Sequence, residues 1–172
     1  MISLNEARNW CRSAHGAQMY GIHPYDYHLN AVEAVAVRFG FTDDVIRMAC
    51  QGHDVLEDTK LTQADMLAAD FPQEVVTIVF CVTDEPGATR CERKSKTLPK
   101  IAGNRKAVIV KLCDRIANVE ESKQHNAAKF AMYKLEFPEF ERHLRDRTEG
   151  EIEPLWRHLE TLLASETTAS EA

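Results

Sequence analysis

The sequence predicts an all-α fold, about seven to nine helices gathered into one bundle. Two observations carry this. Apolar residues recur at helical spacing along the chain. The one stretch rich in β-branched residues, Glu74 to Val82 (EVVTIVFCV), has no second stretch to pair with as a strand. A length of 172 residues fits one domain with a real core. Its limits are set at residues 1–164, and the polar tail 165–172 (SETTASEA) is expected to be disordered.

The elements follow in order. Ser3 with Glu6 forms a capping box that opens a first helix, with Leu4, Ala7, Trp10, Cys11 and Ala14 on one face. That helix gives way between Gly16 and Gly21, and Pro24 disfavours helix at His23, so HPYDYHLN begins as a loop. A second helix starts near His28, which sits in its first turn, carries Val32, Val35, Ala36 and Phe39, and stops at Gly40. The third begins after Thr42 and runs through QGHDVLEDT, residues 51–59. Leu61, Thr62 and Asp65 start a short helix that ends by Phe71 and Pro72. EVVTIVFCV follows as a buried helix, then DEPGATR, Asp84 to Arg90, as a loop. The basic run Arg93 to Lys100 precedes a helix carrying Val108, Ile109, Leu112, Ile116 and Val119. Lys129 to Arg145 is amphipathic and interrupted near Pro138. Ile152 to Leu163 closes the domain on Leu155, Trp156, Leu159, Leu162 and Leu163, and both tryptophans, Trp10 and Trp156, are expected in the core.

Composition narrows the function. A net charge of −6 argues against a sequence-independent nucleic-acid binder, which needs a basic stripe. No apolar run approaches the ~20 residues of a membrane span. The N-terminus, MISLNEARNW, lacks the basic and apolar segments of a signal peptide. The five cysteines, Cys11, Cys50, Cys81, Cys91 and Cys113, are odd in number and form no CxxC, which fits a reducing cytoplasm rather than a disulfide framework.

The chemistry concentrates in QGHDVLEDT. On a helix, His53 and Glu57 are four residues apart, as are Asp54 and Asp58, so both pairs leave one broad face. The flanks Val45, Ile46, Ala49, Cys50, Val55 and Leu56 are apolar, so these groups sit on a largely buried helix. An imidazole and three carboxyl groups crowded together repel one another unless a cation stands among them. A solvated acidic face would show the same letters. His28 and Asp114 offer further ligands, the latter on a helix that is otherwise apolar around it, at Val110, Cys113 and Ala117. An ion pair of Asp114 with Lys111 or Arg115 is the alternative for that carboxylate. Two imidazoles with two carboxylates form a mixed nitrogen and oxygen set that suits Mn²⁺ first, then Fe²⁺ or Zn²⁺.

AHGAQ…HPYDYHLNAV, QGHDVLEDT and VIVKLCDRIANV resemble, in the same order, the motifs of the hydrolase domain of the RelA/SpoT family, a branch of the HD phosphohydrolases. QADMLAADFPQEVVTIVFCVTD is similar to that domain's next segment, and the resemblance spans roughly residues 4–160. It implies an HD-domain helical bundle acting as a free-standing small alarmone hydrolase, without synthetase or regulatory domains. The implied reaction is Mn²⁺-dependent hydrolysis of the 3′-pyrophosphate of (p)ppGpp to GDP or GTP and pyrophosphate, in the stringent response. The resemblance implies His28, His53, Asp54 and Asp114 as metal ligands and Glu57 with Asp58 as the catalytic pair. Asn118 would meet the nucleoside, and Tyr133 would lie near the nucleotide. Lys111, Arg115 and the Arg93–Lys100 run are the cations available to a polyanionic substrate.

Two departures touch recognition of the substrate. Met19, Tyr20 and Gly21 stand where the family usually shows a basic pair, and Tyr20 is assigned to stack on a base in place of an arginine. Val119, Glu120 and Glu121 stand where the family often has an arginine and a threonine. These changes keep open a phosphohydrolase for another nucleotide, the 2′-phosphate of NADPH or a nucleoside monophosphate. A non-catalytic nucleotide-binding module that retains a structural metal is the third reading, and the presence of Glu57 and Asp58 speaks against it. His15 is expected to support or pack, while His23, His125, His143 and His158 are assigned to the surface or to packing.

Overall fold

The computed structural model describes residues 1–145 and 150–165, so the tail assigned to disorder lies outside the described residues except for Ser165. The order is α1 (Leu4–His15), β1 (Met19–Tyr20), β2 (His23–Pro24), α2 (Asp26–Arg38), α3 (Asp44–Gly52), α4 (Val55–Asp58), α5 (Gln63–Ala68), α6 (Gln73–Val82), α7 (Arg90–Ala102), α8 (Arg105–His125), α9 (Ala127–Leu144) and α10 (Glu153–Ala164). Ten helical segments are described and α4 is a single turn, so nine are longer than one turn, as the spacing of apolar residues predicts.

α8 is the axis. Of its 21 residues 13 are buried, and it packs against α2, α3, α6, α7, α9 and α10. A helix covered on all sides is expected to be apolar all round, so its buried Lys111, Asp114 and Arg115 are anomalies that need partners. The ends of several helices follow local rules. Ser3 and Glu6 close the capping box on α1, Thr62 and Asp65 close another on α5, and the Asp43 side chain accepts from the amides of Val45 and Ile46 at the start of α3. α6 is the helix expected of EVVTIVFCV, with Val75, Val76, Ile78, Val79 and Val82 buried at helical spacing.

Four local expectations are corrected. QGHDVLEDT does not form one helix: α3 ends at Gly52, Asp54 has φ −98° and ψ −2°, and the chain restarts as α4. A Cβ on Gly52 would meet Met66 and Val79 at 3.4 Å, so the end of α3 is pressed against α5 and α6. The basic run is not a lead-in, because α7 starts at Arg90 with the Thr89 side chain accepting from the Glu92 amide. α9 continues through Pro138, which is exposed together with Lys134, so the carbonyl the proline leaves unbonded is on the water side. The loop before α2 contains a two-stranded hairpin, β1 against β2, turning at Gly21 with φ +60°, a value glycine adopts freely. No helix among the described residues is long and apolar enough to cross a membrane.

Candidate metal centre and its pocket

Three places in the chain converge on one point. The first turn of α2 brings His28, the break between α3 and α4 brings His53 and Asp54, and the middle of α8 brings Asp114. Donor atoms of His28, His53 and Asp114 all lie within 4.8 Å of one another. Asp54 Oδ2 joins them, 2.9 Å from His53 Nε2 and 3.6 Å from His28 Nε2. Asp114 Oδ1 is 3.3 Å from His28 Nε2 and 3.6 Å from His53 Nε2. All four expected ligands therefore meet, and His28, His53 and Asp114 are buried.

The protonation of His53 tests whether a cation fits. Its Nδ1 lies 2.7 Å from the Cys50 carbonyl oxygen, which can only accept, so Nδ1 carries the hydrogen. Nε2 is buried, has no hydrogen-bond partner among the described residues, and faces the oxygens of Asp54 and Asp114. In the neutral ring that nitrogen presents a lone pair to two carboxylates. A proton or a divalent ion relieves the repulsion, and a donor set of two imidazoles and two carboxylates fits the ion.

The charges hold one another. Burial works against a charged His53, but Asp54 and Asp114 outweigh it and hold the ring well above its ordinary value. Burial pushes the Asp114 carboxyl up, yet Lys111 and both histidines hold it well below the usual carboxylate range. Lys111 Nζ donates to Asp114 Oδ2 at 2.9 Å, so the ion pair considered as an alternative exists beside the imidazole contacts rather than in place of them. Asn118 Nδ2 donates to Asp114 Oδ1 at 2.5 Å and so braces the same carboxylate.

A polar-lined cavity of about 240 Å³ opens over the cluster. Its walls carry five cations, Arg90, Lys94, Lys111, Arg115 and Lys129, against three carboxylates, Asp54, Glu57 and Asp114. Most of the cations are already paired. Arg90 and Arg115 share Glu136, at 2.5 Å and 3.0 Å, and Lys94 holds Asp84 at 2.7 Å. Arg115 is further fixed between the rings of Tyr133 and Phe140, 4.6 and 4.5 Å from their centroids. Lys129 differs: its Nζ donates to the Asn118 amide oxygen at 3.3 Å and lies over the rings of Tyr20 and Tyr133, with no carboxylate partner among the described residues.

Of the site residues expected from the sequence, Tyr20, His28, Asp54, Glu57, Lys111, Asp114, Arg115, Asn118 and Tyr133 line this cavity, in different postures. Glu57 lines it, and Asp58 does not. The Asp58 carboxylate instead accepts from Tyr25 Oη and Gln18 Nε2, both at 2.8 Å. Burial and the Asp84 charge raise the Glu57 carboxyl above its ordinary value. Tyr20 stacks flat on His28, with centroids 4.6 Å apart and planes 7° apart, and its hydroxyl donates to Asn118 Oδ1 at 2.9 Å. Burial pushes the Tyr133 phenol up to about 12. Lys94 comes from the Arg93–Lys100 run that the sequence offers to a polyanionic substrate, whereas Arg90 and Lys129 are pocket cations that it does not single out. Arg90 closes a segment read as a loop, and Lys129 stands in no motif.

No protein-family model matches the sequence, and no curated protein matches it. Solved structures do. The chain is similar to a metazoan ortholog of SpoT that hydrolyzes ppGpp and plays a role in starvation responses, at 24% identity over 94% of this chain and 95% of that one, with a TM-score of 0.78. It is also similar to lmo0812 from Listeria monocytogenes EGD-e, at 22% identity over 83% of this chain and 97% of that one, with a TM-score of 0.63. The predicted all-α helical bundle is the fold of this chain, and it is shared with both structures.

Proposed function

We propose that the chain hydrolyses the 3′-pyrophosphate of (p)ppGpp, with His28, His53, Asp54 and Asp114 holding a divalent ion, Mn²⁺ in the first place. The observation that carries this is the cation-walled cavity over an imidazole and carboxylate cluster whose buried His53 Nε2 lacks a partner. A divalent ion in that set, when bound, acidifies a water and offsets charge on a phosphoryl oxygen.

The remaining work belongs to the chain. Of the acidic pair, Glu57 is the one that faces the cavity, and raised as it is, it takes a proton from the attacking water more readily than an ordinary glutamate. The water oxygen ends on pyrophosphate, and the ribose 3′-oxygen leaves and takes up a proton. Lys129, which has no carboxylate within ion-pair distance among the described residues, is placed for a substrate phosphate, with Arg90 and Lys94 beside it. Lys111 and Arg115 keep the walls cationic while anchored to Asp114 and Glu136. A neighbouring cavity of about 360 Å³ shares Tyr20 and Lys129 with the first and offers room for a nucleoside.

One observation favours a second reading, another nucleotide such as NADPH or a nucleoside monophosphate. Tyr20 lies against His28 and its hydroxyl is bonded to Asn118, so two residues assigned to the nucleoside are engaged with each other.

A product assay with added Mn²⁺ that offers ppGpp, NADPH and GMP in parallel tests both. Pyrophosphate from ppGpp, lost with a chelator, is the expected result. Inorganic phosphate from NADPH or GMP alone would move the chain to the second reading, and no product from any of them would overturn both. Glu57→Gln is expected to lower turnover by about 10²–10⁴-fold while leaving Mn²⁺ uptake intact.

A further inference from the structure

Glu57 and Asp58 are neighbours in sequence and part company in space. Glu57 lines the reaction cavity, whereas Asp58 borders a separate open cleft with Trp10 and Lys60. What links the Asp58 carboxylate to the metal ligands is a phenol. Tyr25 Oη lies 2.6 Å from Asp54 Oδ2 and 2.8 Å from Asp58 Oδ2, so its single hydrogen is shared between the two carboxylates.

That phenol is itself held. The His15 ring stacks on Tyr25 with centroids 4.4 Å apart and planes 20° apart. His15 Nδ1 is 2.9 Å from Gln18 Oε1, and Gln18 Nε2 donates to the same Asp58 oxygen that Tyr25 reaches. The AHGAQ segment is thereby tied to the site at two points. Its histidine orients the Tyr25 ring, and its glutamine orients the carboxylate on the other side of the hydroxyl. The Asp58 amide also donates to the Asp54 carbonyl at 2.8 Å, which fixes the turn between them.

We infer that Tyr25 is a positioning residue that couples Asp58 and the AHGAQ segment to Asp54, holding Asp54 in the metal-ligand set. Asp58 then acts through Tyr25 and does not touch the reacting atoms. The oxygen Tyr25 reaches, Asp54 Oδ2, is the one that faces His28 and His53, so the phenol fixes the direction of the ligating atom itself. Loss of such a partner typically costs 10–100-fold in metal affinity or activity.

The inference rests on the metal assignment proposed above, and the experiment separates the two. Metal-free protein is titrated with Mn²⁺ by calorimetry, without substrate, for wild type, His28→Ala, Tyr25→Phe, Asp58→Asn and the Tyr25→Phe/Asp58→Asn double variant. Thermal unfolding of each metal-free protein confirms that it is folded. Tyr25→Phe is expected to weaken Mn²⁺ by roughly 10–100-fold. Asp58→Asn is expected to weaken it in the wild-type background and to add nothing in the Phe background. Wild-type affinity in Tyr25→Phe, or effects that simply add in the double variant, would overturn the inference while His28→Ala still loses Mn²⁺ and upholds the metal site. Should Tyr25→Phe not fold, wild-type affinity in Asp58→Asn overturns it alone. If wild type takes up no Mn²⁺, or His28→Ala binds as tightly as wild type, the metal assignment falls and takes the inference with it.

Discussion

Helix α2 contributes to two buried ionic clusters, one completed by α3 and one by the turn just after it, and the two are built on opposite principles. In the first, Glu33 of α2 is 5% exposed and its carboxylate is saturated: Arg8 donates to both oxygens, Arg47 Nε to one at 2.9 Å, and Gln51 Nε2 to the other at 2.7 Å. In the second, His28 and His53 meet Asp54 and Asp114 with Lys111 as the fixed cation, and His53 Nε2 faces two carboxylates without a hydrogen bond among the described residues. Both clusters are buried and both contain carboxylates, so burial alone does not mark a functional site. Incomplete satisfaction does. A structural ion cluster closes on itself, and a site that receives an ion or a substrate stays open toward it.

The largest expected effect falls on the open cluster. Asp114→Asn removes a ligand and is expected to abolish Mn²⁺ uptake and to lower hydrolysis by at least about 10³-fold, the rate equivalent of the several kcal/mol a divalent ion supplies. The same change strips Lys111, 8% exposed, of its counter-charge. Breaking a buried pair from one side costs about 3–5 kcal/mol, so the metal-free variant is also expected to unfold at lower denaturant. Full Mn²⁺ affinity in Asp114→Asn would break the comparison at its stronger end.

Glu33→Gln probes the closed cluster. The Arg8 and Arg47 side chains are 33% and 26% exposed and regain water, so the expected destabilisation is smaller, about 1–3 kcal/mol in a urea titration. Mn²⁺ affinity in folded Glu33→Gln is expected to stay at the wild-type value. A parallel fall in both quantities would mean that the two clusters form one unit.

Acid separates the clusters further, with a definite sign. Burial pushes the Glu33 carboxyl up, but Arg8, Gln51 and Arg47 outweigh it and hold it below its ordinary value of 4.5. A lowered carboxyl contributes stability above its unfolded value and loses it as pH falls through the folded one. The gap in urea midpoint between wild type and Glu33→Gln is therefore expected to be full at pH 6 and to close as pH drops below the ordinary carboxyl range. A gap that stays constant down to pH 3 would show that Glu33 stabilises by packing and not by charge.

The same contrast explains what was legible in the sequence. Asp114 stands out because it is a carboxylate in a helix that is otherwise apolar around it, His53 and Asp54 because they crowd with Glu57 and Asp58, and His28 because the HPYDYHLN motif carries it; all of these are visible without coordinates. The break at His53 and Asp54 is not, because nothing in GHDVLEDT forbids a helix; the tight contact of Gly52 with Met66 and Val79 is tertiary. Thr89 followed by Glu92 does carry a helix-start signal for α7, but the string of lysines and arginines after it reads as a solvated face. The stacking of Tyr20 on His28 joins a hairpin to a helix, and no local pattern encodes it. Lys129 is one lysine among others until the pairing of its neighbours is known.

The smallest effect concerns the one carboxylate that the open cluster leaves strained. Glu57 sits at the surface, yet its carboxyl is raised by burial against the cavity wall and by the charge of Asp84, with the Asp84 amide donation at 3.1 Å only partly opposing them. A raised carboxyl favours folding at low pH, and that advantage disappears as pH rises through its folded value, leaving a charge that the fold holds reluctantly. Metal-free Glu57→Gln is therefore expected to melt slightly above wild type at pH 7, by about a degree or two, with the difference shrinking toward pH 4. The gain in stability would accompany the loss of turnover, the trade expected where a group is placed for chemistry at the expense of the fold. A Glu57→Gln protein that melts below wild type at pH 7 would place Glu57 with Glu33, as a structural carboxylate whose charge the fold requires.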